Sequence, residues 1–238
     1  MDNRALVFTV HKAASLGVYD VMRRVASHEK WPLHSANHRK KTMTEPNGLG
    51  DEKFFAQLDG KTGLVGPIRA PVALPEDAVT NDTIIIHLRD PRDVLVSMFY
   101  SWSYSHPGVD EAWRKRLIDR GVDEFVWNEN TALKNKYRIY ARKMATLPNA
   151  TLVKYEDFVL DRPAWMHTFL SALGLDPEIP FYKKLANDNP AAKVTAEDKS
   201  QHIRKAAPGD YAEKLRPETI EKLNTNWEQM FGDLGYSL

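Results

Sequence analysis

Apolar positions along the chain fall into short unbroken runs that alternate with stripes spaced three and four residues apart. The run ALVFTV (5–10), rich in β-branched and aromatic side chains, predicts a buried strand. In LGVYDVMRRVASH (16–28), Val18, Val21, Met22 and Val25 share one helical face. A second strand is expected at WPLHSA (31–36), and the aperiodic polar stretch 37–51 reads as loop. Residues 61–78, KTGLVGPIRAPVALPEDA, carry three prolines between short apolar pieces and predict an irregular edge segment. DTIIIHL (82–88) is apolar on both faces, as a strand of a covered parallel sheet must be. A helix follows from Pro91, where the missing N–H does no harm, and 109–147 is mainly helical in pattern. ATLVKYEDF (150–158) reads as a strand with polar groups at its carboxyl end. Residues 163–175 read as an amphipathic helix with Gly174 near its stop, 181–210 as a polar flap, and 216–236 as a closing helix.

Strands alternating with helices predict an α/β fold: a single domain over residues 1–238, with a central parallel sheet flanked by helices. Ligands bind such sheets at the carboxyl ends of the strands. Three polar clusters fall at such ends: His11-Lys12, Arg89 to Asp93, and Tyr155 to Asp157.

Composition narrows the chemistry. Hydrophobic residues make up 42% of the 238, enough for a sizeable core. Thirty-three Lys and Arg stand against 32 Asp and Glu, so a bulk electrostatic grip on nucleic acid is not expected. The chain contains no cysteine, which excludes disulfides, thiolate metal ligands and cysteine nucleophiles. The amino-terminal run is short and ends in His11-Lys12, unlike a signal peptide, and no stretch reaches the ~20 apolar residues of a membrane span. A soluble, cytoplasmic protein is expected, with a homodimer left open.

The first cluster, HKAAS, lies between a strand and a helix. Loop N–H groups, a helix amino terminus and a lysine charge make an anion site there. It is not the triphosphate loop GxxxxGK[ST], since no glycine precedes Lys12 and no hydroxyl follows it directly. In the second cluster, Arg89 ends a buried strand, so its guanidinium is expected in the crevice, with Ser97 two helical turns on. Arg92 and Asp93 read as local partners that fix the turn.

RDPRDVLVS (89–97) resembles the 3′-phosphate-binding segment of sulfotransferases that use 3′-phosphoadenosine 5′-phosphosulfate (PAPS). HKAAS stands in the place of that family's 5′-phosphosulfate loop. VKYEDFVLDRPAWMHTFLSALGL resembles its "YED" strand and following helix, and the segment from His202 to Tyr236 its carboxyl-terminal "RKG…GDW" stretch and last helix. The resemblance implies a P-loop-like sulfotransferase fold in which Lys12, Ala13, Ala14, Ser15 and Leu16 hold the 5′-phosphosulfate. Arg89, Ser97, Arg204 and Lys205 would grip the 3′-phosphate, with Tyr155 against the adenine and the segment around Arg204 as a lid. Arginine forks on a dianion are among the strongest charge-assisted bonds. Lys12 would also stabilise charge on the leaving group, and no metal is implied.

The pattern departs from the family in several places. His11 replaces a proline, Ala14 and Ala206 replace glycines, and Tyr211 stands for the tryptophan of "GDW". The "THLP"-like histidine that serves many members as base is matched by GPIRAPVAL, with Arg69, which is no base at neutral pH. His34 is then the base expected, with His38 nearby and His11 a further candidate, whereas His87 reads as a core histidine. Trp102, Tyr104 and His106 either line a pocket for a small-molecule or sugar acceptor or pack along a helix face. HRKK (38–41) could meet an anionic acceptor or form a solvated loop. The alternatives are a non-catalytic nucleotide-binding relative and a small-molecule kinase of P-loop-like fold.

Overall fold

The computed structural model describes residues 3–35, 42–44, 46, 50–188 and 207–238. Backbone contacts group the chain into two compact units, residues 1–88 with 142–187, and residues 89–141 with 188–238.

The first unit holds a five-stranded sheet, all of it parallel, in the order β2-β3-β1-β4-β5. The strands are β1 (Arg4–Thr9), β2 (Leu33–His34), β3 (Gly63–Ile68), β4 (Thr83–Leu88) and β5 (Ala150–Lys154). Helices α1 (Ser15–Glu29), α2 (Asp51–Ala56), α3 (Glu76–Asn81), α7 (Tyr155–Leu160), α8 (Arg162–Ala172) and α9 (Pro180–Asn187) belong to the same unit. The face of α1 read from the sequence, Val18, Val21, Met22 and Val25, is fully buried. It meets Ile85 of β4, Val153 of β5, and Trp165, Met166 and Phe169 of α8 in one apolar core.

Residues 61–78 depart from expectation. Instead of an irregular edge they supply β3, an inner strand buried along its whole length. Pro67 is accommodated because the register with β1 shifts between Leu6 and Phe8, so the ladder does not need its absent N–H. Gly63 lies at φ 94°, where a Cβ would sit 2.3 Å from the Pro32 carbonyl oxygen, so only glycine permits that approach to β2. The strand expected over 150–158 is also shorter. It ends at Lys154, and Tyr155 to Asp157 form the first turn of α7. Within 181–210, residues to Asn187 form α9 rather than flap, and 189–206 lie outside the described residues.

The second unit is helical: α4 (Pro91–Tyr100), a π-helical turn at Ser101–Ser105, α5 (Glu111–Arg120), most of α6 (Val122–Thr146), α10 (Asp210–Lys214) and α11 (Pro217–Leu234). Asp90 caps α4 by accepting from the Arg92 N–H at 2.8 Å, and Pro91 occupies the first turn as expected. Tyr137 and Trp227 are almost wholly buried and pack edge to face, 5.3 Å apart. Among the described residues no helix is long and apolar enough to cross a membrane.

Candidate functional site: an anion loop and an arginine turn

In the first unit the turn after β1 has a backbone that L-residues seldom adopt. Lys12 lies at φ 68° and Ala14 at φ 54°, both left-handed. Each such residue costs roughly 1–2 kcal/mol outside glycine, so packing must hold them there. Ala14 is the N-cap of α1, with no side-chain cap, and the first turn carries no acidic residue. The first amide groups of a 15-residue helix thus open onto this turn with no carboxylate of their own to neutralise them. Ala14 thus holds a conformation that glycine reaches without strain, and the Lys12 charge sits in the same turn.

The turn rests on a buried polar pair. His87 of β4 is wholly buried, and its Nε2 lies 2.9 Å from the Ala13 carbonyl oxygen. The Trp165 indole N–H donates to His87 Nδ1 at 3.2 Å. Because Nδ1 must accept, the proton resides on Nε2 and is donated to Ala13. Burial pushes the His87 pKa down to about 4, the bond to Ala13 opposing it only in part. Phe158 packs against both rings and takes the space a side chain on Gly17 would need. The reading of His87 as a core histidine describes its burial but missed its contact with the loop.

Tyr155, the first residue of α7, is buried. His34 sits on β2 opposite Val65, yet its Nε2 lies 3.2 Å from the carbonyl oxygen of Thr62, three residues back. Its ring therefore faces the amino end of β3, whereas His11 and Lys12 follow the carboxyl end of β1. Desolvation lowers the His34 pKa, with Lys61 adding to it.

In the second unit Arg89 follows directly on the last residue of β4. It is only 5% exposed, and its Nη2 lies 3.3 Å from Asp93 Oδ2. The Tyr137 hydroxyl donates to the Arg89 carbonyl, which pins the backbone there. Asp93 is wholly buried and also accepts from the Gly209 N–H at 2.9 Å and the Tyr211 N–H at 3.0 Å. Arg92 bonds Asp90 at 2.6 Å, Asn224 at 2.8 Å and the Ser237 carbonyl at 2.6 Å. Its guanidinium lies 4.1 Å from the Tyr211 ring centre and 4.5 Å from that of Phe231. The fixing role read for Arg92 and Asp93 extends much further than their own turn. Ser97, half-buried, lies one helical turn beyond Asp93.

Trp102 packs edge to face on Phe125 at 5.5 Å. Tyr104 is exposed and stacks on Tyr100, and His106 Nδ1 accepts from the Gly108 N–H at 3.1 Å. Arg204, Lys205, His38 and the run 38–41 lie outside the described residues. Among the described residues no group of three or more His, Cys, Asp or Glu is placed to hold a metal ion.

The five-stranded parallel sheet, with a left-handed turn after β1, is an α/β architecture of the kind that binds ligands at the carboxyl ends of its strands. The chain belongs to the sulfotransferase domain family, whose model matches residues 70–235, and it is an enzyme of that class. The matched stretch takes in Arg89, Ser97 and Tyr155 and begins after the Lys12 turn. In fold the chain is similar to the mouse sulfotransferase SULT7A1 complexed with PAP, at 16% identity and a TM-score of 0.66, over 97% of this chain and 85% of that one. Retinol dehydratase in a complex with retinol and PAP is similar at 14% identity and a TM-score of 0.63, over 100% and 83%. The same enzyme with androsterone and inactive cofactor PAP gives 14% and 0.62, over 99% and 82%. No curated protein sequence matches.

Proposed function

We propose that this protein moves a sulfuryl group from PAPS to a hydroxyl or amine of a small-molecule or sugar acceptor in the cytoplasm, residues 1–238 acting as one sulfotransferase domain. The observation that carries this reading is the left-handed Lys12–Ala14 turn capping α1 without a carboxylate, in a chain of the sulfotransferase family. PAP in the three similar structures supports the choice of donor.

Lys12 and the amides of residues 13–16 take the 5′ phosphosulfate, and Lys12 neutralises charge growing on the departing oxygen. Arg89 and Ser97, with Arg204 and Lys205, take the 3′-phosphate, and Tyr155 meets the adenine. When bound, PAPS supplies the sulfuryl group. For the acceptor proton the geometry favours His11 over His34. His11 stands in the Lys12 turn beyond β1, and the His34 ring is tied back to Thr62. Trp102, Tyr104 and His106 meet the acceptor; of these Tyr104 is exposed and stacks on Tyr100, while Trp102 packs on Phe125 and His106 accepts from the Gly108 N–H.

Thermal-shift titration with 3′,5′-diphosphoadenosine, ADP and ATP, repeated in Arg89→Ala, tests the donor site. Stabilisation by the first ligand over the other two, lost in the variant, is expected. An equal response to all three sinks the reading. A labelled-sulfate screen over phenols, amines and sugars then identifies the acceptor, and binding without any transfer marks a non-catalytic relative. Turnover lost in His11→Ala but kept in His34→Ala is the expected pattern for the base.

A further inference from the structure

We propose that His87, oriented by Trp165, is a positioning residue for the 5′ anion site: it holds the Ala13–Ala14 peptide with the carbonyl inward and the Ala14 N–H outward. This rests on reading the Lys12 turn as the 5′ phosphosulfate loop. The argument begins with peptide geometry. In a planar trans peptide the C=O of one residue and the N–H of the next point in opposite directions. The Ala13 carbonyl points to His87 Nε2 at 2.9 Å, beneath the turn and wholly buried. The Ala14 N–H is therefore turned away from that core. A flip of this peptide would aim a carbonyl oxygen where an anion binds, and it would change the φ of Ala14, whose left-handed value of 54° is costly enough to favour relaxation.

What prevents the flip is a donor that cannot turn away. His87 shares its face of β4 with Ile85, in the core formed with α1 and α8, where Phe158 and Trp165 meet its ring at 5.7 Å each. A buried donor without its acceptor is costly, so the imidazole N–H and the Ala13 carbonyl each hold the other. The Trp165 N–H, by occupying Nδ1, keeps the proton on the side that faces the loop. Depression of the His87 pKa to about 4 keeps the ring neutral, as this arrangement requires. Leucine would fill the space but leave the carbonyl without a donor.

The test compares affinities for 3′,5′-diphosphoadenosine and for adenosine 3′-monophosphate, which lacks the 5′ group, by calorimetry. In the wild type the first binds more tightly. His87→Leu is expected to shrink that ratio about tenfold, the equivalent of one buried hydrogen bond, and to leave the monophosphate affinity nearly unchanged. Loss of overall fold would weaken both ligands alike. His87→Gln, which keeps a donor toward Ala13, restores part of the ratio. Trp165→Phe, which removes only the orienting N–H, lowers it less than His87→Leu does, and it carries the test if His87→Leu does not fold. A folded His87→Leu with an unchanged ratio overturns the positioning role while the donor site stands. If His87→Leu does not fold, an unchanged ratio in Trp165→Phe overturns it. A wild type that binds both nucleotides equally, or neither, overturns the loop assignment and this inference with it.

Discussion

Asp93 is the clearest place to test how the carboxyl-terminal segment is fastened. Its carboxylate is wholly buried and faces three donors: the Gly209 amide at 2.9 Å, the Tyr211 amide at 3.0 Å and the Arg89 guanidinium at 3.3 Å. Asp93→Ala removes the acceptor for two backbone N–H groups and the countercharge of a buried arginine in one step. Removing one partner of a buried pair costs about 3–5 kcal/mol, and a hydrogen bond to a charged group about 1.5–3 kcal/mol. These contributions overlap, so a loss of about 4 kcal/mol is expected. For a chain of this length that is a fall in Tm of about 8–16 °C. Asp93→Asn keeps one oxygen and should lose about half as much. Urea unfolding gives the free energy, and amide exchange locates it, with the Gly209 and Tyr211 amides speeding up most. A loss below about 1 kcal/mol in Asp93→Ala, or unchanged exchange at those amides, refutes the fastening role.

Three further outcomes follow from the loop and its support. Ala14→Gly relieves a left-handed alanine at φ 54° and should stabilise the protein by about 0.5–1 kcal/mol in urea unfolding, the strain relieved being partly offset by glycine's chain entropy. Gly17→Ala would place a Cβ 2.9 Å from Phe158 Cζ and should destabilise by about 1–3 kcal/mol in the same assay. His87 binds its proton only near pH 4 when folded but near its ordinary value of 6.5 when unfolded. The unfolded state therefore binds more protons between those values, and stability must fall as pH drops through that window. Unfolding free energies at pH 7 and pH 4 should differ by about 3 kcal/mol more in the wild type than in His87→Leu.

Much of the architecture was legible because burial imposes simple periods. The unbroken run Ile84-Ile85-Ile86 could only be an inner strand, and the stripe Val18, Val21, Met22, Val25 could only be a helix face turned to a core. What stayed hidden depends on pairs far apart in the chain. β3 was concealed because Gly63, Gly66 and Pro67 mark turns locally, and only the register shift against β1 makes them compatible with an inner strand. Tyr155 read as strand because its apolar neighbours extend β5, yet the chain turns helical at that residue. His34 was singled out for its position along the chain, while the direction of its ring was set by the carbonyl of Thr62, 28 residues away.

The same distinction bears on how the proposed 5′ anion loop could keep its shape with alanine at position 14. Glycine reaches a left-handed turn without strain, but it leaves the peptide free to rotate. Ala14 reaches the same turn under strain, which a flip of the preceding peptide would relieve. Such a loop can keep one orientation only if the core beneath it supplies a fixed partner. This core supplies one in the neutral imidazole of His87, held by Trp165 and packed by Phe158. Alanine in the loop and histidine in an otherwise apolar strand are thus linked, the first requiring what the second provides.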